Sequence, residues 1–441
     1  MPTRYYMTNS EELTSLADKL RQNAEISDTF VFPSGFISAM PNNSSEDCYV
    51  TNSNFTSYTN SKITKIRAHA FEFREELSRV DCANVKSIAG SAFQRCSSLE
   101  EALLPETENI GGWAFCECSK LKSAYFPKCS YIGTYAFASC YSLQSVSASE
   151  CEYLDNYAFS FCSSLTDIYF PKVSIIEYGV FNYCSLLSEA NFPECSFLGS
   201  AAFDKCSSLA SIYFSKVTEV RNHTFRSCIA LEEAIFPECL SIGTQAFSCC
   251  YSLKTISFPK CIKISNYAFI SCSSLKEAIF PECTTIGSYA FQYCHSLSAI
   301  YFPKCEDIGW YAFIDCMELV SIDFPVCSSI DSSAFCNCKN LEVASFPECQ
   351  FIDRLVFRSC IKLKSLYLTG SSIASMPASN AFENTPMVNS ALIGEYGSIY
   401  VMPELLSAYK ENSQWSYFSE RFVPYQEPEP SVTDEPEPQS T

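Results

Sequence analysis

The sequence repeats itself every 22 residues, without insertion or deletion, over most of its 441 residues. A fixed period in the twenties is typical of a solenoid, in which each repeat buries its apolar edge only against its neighbours. A leucine lies six residues after each phase-marking phenylalanine, from Leu77 to Leu363. The pattern predicts one elongated repeat domain, because such a core grows along a single axis. The fourteen marker phenylalanines are Phe71, Phe93, Phe115, Phe137, Phe159, Phe181, Phe203, Phe225, Phe247, Phe269, Phe291, Phe313, Phe335 and Phe357.

A single repeat, 284–305, shows what each part of the pattern predicts. Leu297, Ile300 and Phe302 occupy the inward positions of a bend and a short strand, so Tyr301 between two of them must point outward. The stretch around the marker phenylalanine predicts one helical turn packed on the core. Strands of successive repeats are expected to pair in parallel, about 4.8 Å apart.

The 27 cysteines fall in columns and not in pairs. Thirteen lie three residues after the marker phenylalanine and nine lie fourteen residues after it. Val173 and Val217 replace cysteine in the second column, as a small buried apolar position allows and a disulfide partner does not. Free, buried thiols are therefore favoured, although neighbours in one column, about 5 Å apart, are within bridging reach.

Catalysis and metal binding have little support in the sequence. The three histidines, His69, His223 and His295, occupy different positions in separate repeats, so no two share a metal or act as a catalytic pair. Cysteine sets such as Cys116-x-Cys118 each include one inward column position, which disfavours zinc. Phosphate-binding loops and a serine elbow are absent from the sequence. We therefore predict a protein that is not an enzyme and has no cofactor and no metal.

The net charge of −19 argues against nucleic acid, which needs a basic track, and against anionic membranes. The N-terminal sequence has no apolar segment of the signal-peptide kind, and no stretch approaches the roughly 18 apolar residues of a membrane span. Neither nucleic acid nor direct membrane insertion is expected.

The consensus I-G-x-x-A-F-x-x-C-x-x-L-x-x-I-x-F-P, present from Ile66 to Leu368, resembles the BspA-type leucine-rich repeats. The later stretch 397–403 and Trp415 are similar to the closing cap of gut-bacterial and phage-borne members. The resemblance implies an α/β repeat solenoid: a right-handed coil with a parallel β-sheet on one face, short helical turns on the other, and a cap at each end. It also implies a surface or secreted protein, or a virion component, associated with binding and adhesion.

The N-terminal segment has its own resemblance. Residues 10–22 predict a short amphipathic helix, and with residues 29–40 they resemble a small module of phage and prophage structural proteins of Gram-positive bacteria. The predicted organisation is an N-terminal module and linker at 1–61, fourteen repeats at 62–369, a C-terminal cap at 370–425 and a disordered, acidic, proline-rich tail at 426–441. The residues that carry this second resemblance are Leu16, Ala17, Asp18, Leu20, Arg21, Phe32, Pro33, Gly35 and Phe36.

The outward strand positions predict a ligand-binding face. Tyrosine suits protein or glycan binding, because a flat ring offers contact area at low entropic cost together with a hydroxyl group. An equally weighted alternative is that tyrosine and isoleucine merely favour strands. The candidate residues are Tyr125, Tyr169, Tyr213, Tyr301 and Tyr367, with Ile235 and Ile279 between them and the carboxylates Glu189, Glu233 and Glu277 two residues before the outward position.

A charge alternation overlies the 22-residue period. The residue after the proline that ends the strand is Glu106, then Lys128, and the two types alternate at this position up to Lys304. Because successive repeats stack, this places opposite charges side by side. We interpret the ladder as support for strand register, or as the trace of a 44-residue duplication, in preference to a recognition surface.

Together these patterns predict a non-enzymatic binding or adhesion protein that presents an extended repeat surface to a protein or glycan on a cell surface. One alternative is a structural or receptor-binding component of a phage or prophage particle, joined to other phage structural proteins through the N-terminal module. A weaker alternative is an intracellular scaffold, which free cysteines and the missing export signal favour.

Overall fold

The computed structural model describes residues 55–427 together with the strand Asp47–Cys48. This part of the chain is a solenoid in which every named strand pairing is parallel. In the repeats, partner residues are 22 apart in sequence, as Tyr213 and Ile235 show. The N-terminal helix expected at 10–22, the segment 29–40 and the tail from residue 428 lie outside the described residues.

Each repeat contributes one longer and one shorter strand, on two different sides of the solenoid. Seventeen longer strands stack along the first side, and two of them belong to the C-terminal region. They are β2 (Ser57–Thr59), β4 (Arg79–Asp81), β6 (Glu101–Leu103), β8 (Ser123–Tyr125), β10 (Ser145–Ser147), β12 (Asp167–Tyr169), β14 (Glu189–Asn191), β16 (Ser211–Tyr213), β18 (Glu233–Ile235), β20 (Thr255–Ser257), β22 (Glu277–Ile279), β24 (Ala299–Tyr301), β26 (Ser321–Asp323), β28 (Val343–Ser345), β30 (Ser365–Leu368), β31 (Ser398–Val401) and β32 (Phe422–Pro424).

The shorter strands form the second side. Each has two residues, and in those from residue 65 onward the second is an inward apolar side chain such as Ile242. They are β1 (Asp47–Cys48), β3 (Lys65–Ile66), β5 (Ser87–Ile88), β7 (Asn109–Ile110), β9 (Tyr131–Ile132), β11 (Tyr153–Leu154), β13 (Ile175–Ile176), β15 (Phe197–Leu198), β17 (Glu219–Val220), β19 (Ser241–Ile242), β21 (Lys263–Ile264), β23 (Thr285–Ile286), β25 (Asp307–Ile308), β27 (Ser329–Ile330) and β29 (Phe351–Ile352).

The third side, expected to carry helical turns, is built from hydrogen-bonded turns, and residues 55–378 contain no helix. In the repeat of Phe115, the N–H groups of Trp113, Phe115 and Glu117 donate to carbonyls of the next repeat at 2.7–2.8 Å. The residues two before and two after the marker phenylalanine have positive φ, as at Trp113 and Glu117. This left-handed conformation costs roughly 1 kcal/mol or more for a non-glycine residue, and it turns alternate N–H groups toward the neighbouring repeat. We call this side the turn side.

The core consists of stacked phenylalanine columns. Phe225 is fully buried, and its ring lies 5.4 Å from Phe203 and 5.3 Å from Phe247, nearly parallel to both. A second column, at the end of the longer strands, includes Phe214 and Phe236, whose rings are 5.6 Å apart. Each repeat therefore packs against the next through aromatic contacts, as the 22-residue period predicts.

No cysteine in residues 55–427 forms a disulfide, as predicted. Each of the thirteen in the first column donates its S–H to the carbonyl of the marker phenylalanine in the preceding repeat, as Cys250 does to Phe225 at 3.2 Å. Those of the second column donate to the carbonyl two residues later, as Cys283 does to Thr285 at 3.3 Å. The thiols therefore supply hydrogen-bond donors to buried carbonyl groups. This role, together with the small size of the side chain, explains why cysteine occupies these positions.

The predicted charge ladder forms discrete pairs. Each lysine contacts the glutamate of the preceding repeat, with Nζ–Oε distances of 2.5–2.7 Å. All ten side chains are well exposed, so each pair contributes only a few tenths of a kcal/mol. The pairs are Lys128–Glu106, Lys172–Glu150, Lys216–Glu194, Lys260–Glu238 and Lys304–Glu282.

Salt is expected to lower the stability of the solenoid slightly because it screens these pairs. Raising sodium chloride from about 50 mM to about 0.5 M shortens the Debye length several-fold, and the midpoint of urea unfolding should fall by a small amount. A variant with the five lysines changed to Gln is the control, and its midpoint should respond less to salt. Because salt also screens the repulsion within a chain of net charge −19, the difference between the two chains is decisive, and equal responses to salt contradict a stabilising role for the ladder.

The C-terminal region closes the solenoid with two further strands and an aromatic cluster. Trp415, Phe418 and Phe422 are buried there, and the indole N–H of Trp415 donates to the carbonyl of Ala374 at 2.7 Å. Tyr417, between Trp415 and Phe418 in the chain, is instead 68% exposed. The helical segments of this region are the 3-10 helices Ser379–Phe382, Ser390–Leu392, Pro403–Leu405 and Ser416–Arg421, and the α-helix α1 (Leu406–Glu411).

Candidate functional site

The outward side chains of the longer strands form one continuous row along the solenoid, which we call the strand face. Within it, Tyr213 is in register with Ile235, Tyr169 with Asn191, and Ile279 with Tyr301. The middle residue of each strand points inward, because period-two alternation directs the first and third residues outward. The predicted tyrosines and isoleucines therefore all lie in one column of this face.

The predicted tyrosines are largely uncovered. Tyr169, Tyr213 and Tyr301 expose 62%, 61% and 54% of their surface, and Tyr125 and Ile279 are also exposed. Ile235 and Tyr367 are half-buried. Large apolar side chains repeated at solvent-facing positions are typical of interaction surfaces.

The predicted carboxylates lie in the neighbouring column of the same face. Glu189, Glu233 and Glu277 are exposed, and they form no ion pair with any residue in the range 55–427. Glu189 is directly in register with Asp167, so two like charges are neighbours on adjacent strands. Such a pair of like charges is destabilising, so stabilisation of the solenoid does not explain the acidic column.

The predicted residues do not form a single pocket. Tyr125 and Tyr301 are eight repeats apart, a distance of about 38 Å at about 4.8 Å per repeat. The strand face therefore suits an extended ligand or several small sites along its length.

A depression at the C-terminal end of the strand face was not anticipated from the sequence. It has a volume of about 1020 Å³, and its lining includes Asp323, Ser345, Tyr367, Tyr400 and Tyr425. The last two residues come from β31 and the residue after β32, which the repeat period does not cover. We call it the C-terminal depression.

The turn side carries a second set of aromatic side chains that the sequence interpretation missed. Trp113 stacks on Tyr135 at 4.3 Å, and Tyr135 on Tyr157 at 4.7 Å. Rings stacked in this way cover one another's faces and leave mainly their edges to solvent. The signal was present as an aromatic residue two positions before the marker phenylalanine. A second stack of the same kind comprises Tyr267, Tyr289 and Tyr311.

Three further ionisable side chains, Tyr131, Arg226 and His223, contact residues of neighbouring repeats. The Tyr131 hydroxyl donates to Asp155 at 2.7 Å, and burial, together with this carboxylate, raises the pKa of Tyr131 to about 12. Arg226 makes two hydrogen bonds to the buried carboxylate of Asp204, at 2.6 and 2.9 Å, and this contact raises the pKa of the arginine. His223 contacts Gln245. Within the described part of the chain, no cluster of three His, Cys, Asp or Glu side chains is placed to hold a metal ion.

Comparison with known proteins agrees with this architecture. The family model described as the BspA type leucine rich repeat region matches six times, at 10–122, 38–166, 86–210, 152–276, 197–316 and 262–389. No curated protein matches the chain.

Among solved structures, a leucine-rich repeat protein from Bacteroides ovatus is 27% identical over 73% of this chain and 83% of its own, with a TM-score of 0.55. A leucine rich cell surface protein from Faecalibacterium prausnitzii is 22% identical over 73% of this chain and 89% of its own, with a TM-score of 0.37. A leucine-rich repeat protein from Eubacterium ventriosum is 19% identical over 67% of this chain and 85% of its own, with a TM-score of 0.42.

The parallel solenoid with an uncovered strand face defines a leucine-rich-repeat protein. Because the family matches together span 10–389, the chain belongs to the BspA-type leucine-rich repeat family. No helix between residues 55 and 427 is long and apolar enough to cross a membrane.

Proposed function

We propose that the protein is a non-enzymatic binding or adhesion protein, and that its strand face holds a protein or glycan ligand on a cell surface. The observation that supports this most directly is the exposure of the tyrosine column, which no other segment of residues 55–427 covers. Exposed tyrosines beside unpaired carboxylates offer both apolar area and hydrogen-bond acceptors to a ligand.

Replacing the four exposed tyrosines of the strand face, Tyr125, Tyr169, Tyr213 and Tyr301, by Ser is expected to weaken binding at least tenfold. Aromatic side chains dominate the energetics of such surfaces, and these four pack against little else. Binding is measured on a glycan array and on whole bacterial and mucosal cells, with circular dichroism to verify folding.

The matched control replaces four exposed tyrosines that lie off the strand face, namely Tyr141, Tyr251, Tyr293 and Tyr417. This variant should bind as the wild type does. If the two variants bind equally, the strand face is only a scaffold, and its tyrosines reflect strand preference.

A role in a phage or prophage particle is the second candidate, supported by the resemblance of the sequence at 10–40. Its test is the presence of the chain in purified virions from the producing strain. Particles that lack the chain exclude this role and leave the cell-surface role.

A further inference from the structure

In the C-terminal depression, two consecutive outward positions of the strand face are small or short. Asp323 and Ser345 occupy the positions that hold Tyr301 before them and Tyr367 after them, in register along the face. Tyr367 stacks on Tyr400 at 4.6 Å, with 11° between the rings. Its other ring face is therefore directed toward Ser345, whose side chain is too short to cover it.

Tyr425 closes this end of the depression. Its ring stands at 88° to that of Tyr367, with 6.1 Å between the centroids, and its N–H donates to the carbonyl of Val401 at 2.8 Å. An aromatic platform and a perpendicular aromatic wall are thus fixed on the strand stack and not on a free loop. The volume of about 1020 Å³ is at the upper end of the range of small-molecule sites.

The polar side chains of the depression are hydroxyls, the carboxylate of Asp323 and the amide of Gln426. Ser321, Asp323 and Ser345 lie on its floor, and no lining residue in the described chain is basic. Asp323 is exposed and forms no ion pair within residues 55–427. A carboxylate of this kind accepts hydroxyl donors and repels anions.

Resting on the proposed function, we propose that the C-terminal depression binds a neutral oligosaccharide. The apolar C–H face of one pyranose ring packs on the free face of Tyr367, whose negative quadrupole attracts those hydrogens. Hydroxyls of the same sugar or the next one donate to Asp323. Sialylated, sulfated and uronate-containing glycans are disfavoured by that charge, and so is an acidic peptide.

The test fills the depression without unfolding the repeat. In Ser345→Tyr the new ring is placed where the column already accommodates tyrosine, so it should stack on Tyr367 and occupy the sugar position. Asp323→Asn keeps the shape of the depression and removes the charge. Ser257→Tyr introduces the same residue at the same strand position of β20, outside the depression, and is the matched control.

Binding is measured by isothermal titration calorimetry with the neutral oligosaccharides that bind best on a glycan array. We expect Ser345→Tyr to lower the affinity more than tenfold, Asp323→Asn to lower it about tenfold, and Ser257→Tyr to leave it unchanged. Binding of neutral glycans that survives Ser345→Tyr overturns the proposal, and so does a preference for anionic glycans or for protein.

These outcomes are separable from those of the proposed function. If replacing the tyrosines of the strand face abolishes ligand binding while Ser345→Tyr does not, the strand face is the binding surface and the depression is not its sugar site. If neither change affects binding, both proposals are wrong.

Discussion

Raising the pH from about 8 to about 10 is expected to unfold the solenoid, because the buried thiols hold their protons more tightly when folded. Burial raises the pKa values of Cys129, Cys195, Cys283 and Cys349 to about 12 from an ordinary value of 9.0. Burial also raises the pKa values of column thiols such as Cys250. Unfolding therefore releases protons at alkaline pH.

These pKa values determine the sign of the change in stability with pH. Below about pH 9 the thiols are protonated in both states, and their stabilising effect is fully present. Between about pH 9 and 12 the unfolded chain loses protons that the folded chain keeps, so the free energy of unfolding falls by about 1.4 kcal/mol per pH unit for each such thiol. The four thiols with pKa values near 12 alone remove about 5 kcal/mol per pH unit, which is comparable with the whole stability of many domains.

The measurement is the midpoint of urea unfolding, followed by far-ultraviolet circular dichroism, at several pH values from about 7 to about 10 under reducing conditions. The control variant replaces the nine second-column cysteines by Val, the residue that the column already holds at Val173 and Val217. Its stability should fall less steeply with pH than that of the wild type. Equal slopes for the two chains contradict the assignment of alkaline unfolding to the thiols.

The change Phe225→Ala in the middle of the solenoid is expected to lower the free energy of unfolding by about 3–5 kcal/mol. Phe225 is fully buried and contacts aromatic rings on four sides, namely Phe203, Phe214, Phe236 and Phe247. Its removal leaves a cavity that the closed repeats on either side cannot fill.

The location of the destabilised repeats tests the solenoid architecture as directly as the loss of stability does. Each repeat contacts only its neighbours, so amide hydrogen exchange should accelerate most in the repeats next to Phe225 and little at the distant ends. Tyr213→Ala on the strand face is the control and should change stability by less than about 0.5 kcal/mol. A loss below about 1 kcal/mol for Phe225→Ala, or exchange that rises uniformly, contradicts this description of the core.

The repeat phase predicts the strands, the inward columns and the free thiols, because each depends on the 22-residue period alone. The turn side was predicted incorrectly as helical. The sequence around Phe115 has good helical spacing, but the N–H groups of Trp113 and Glu117 instead donate to the next repeat from left-handed conformations. Such conformations are unusual for Trp and Glu, and they are stabilised by partner carbonyls on the neighbouring repeat, so local preference does not reveal them.

The candidate binding site could likewise be predicted from the sequence only in part. The exposed tyrosine column follows directly from strand alternation, and the structure places those residues where the pattern indicates. The C-terminal depression depends on Tyr425, which follows a strand that begins 54 residues after the end of β30 and lies outside the period. In the sequence Tyr367 therefore looks like the last member of a row, whereas in the structure it forms one wall of an open depression.

The exact 22-residue spacing has a consequence for how the gene changes. Recombination between two repeats removes or adds a whole number of 22-residue repeats and keeps the reading frame. The two repeats that it joins have the same packing surfaces as the repeats that were neighbours before. Ion pairs such as Lys128–Glu106 are preserved only when repeats are gained or lost in even numbers. Gain or loss of an odd number of repeats places like charges on adjacent repeats. Related strains are therefore expected to carry alleles of different length that differ by even numbers of repeats.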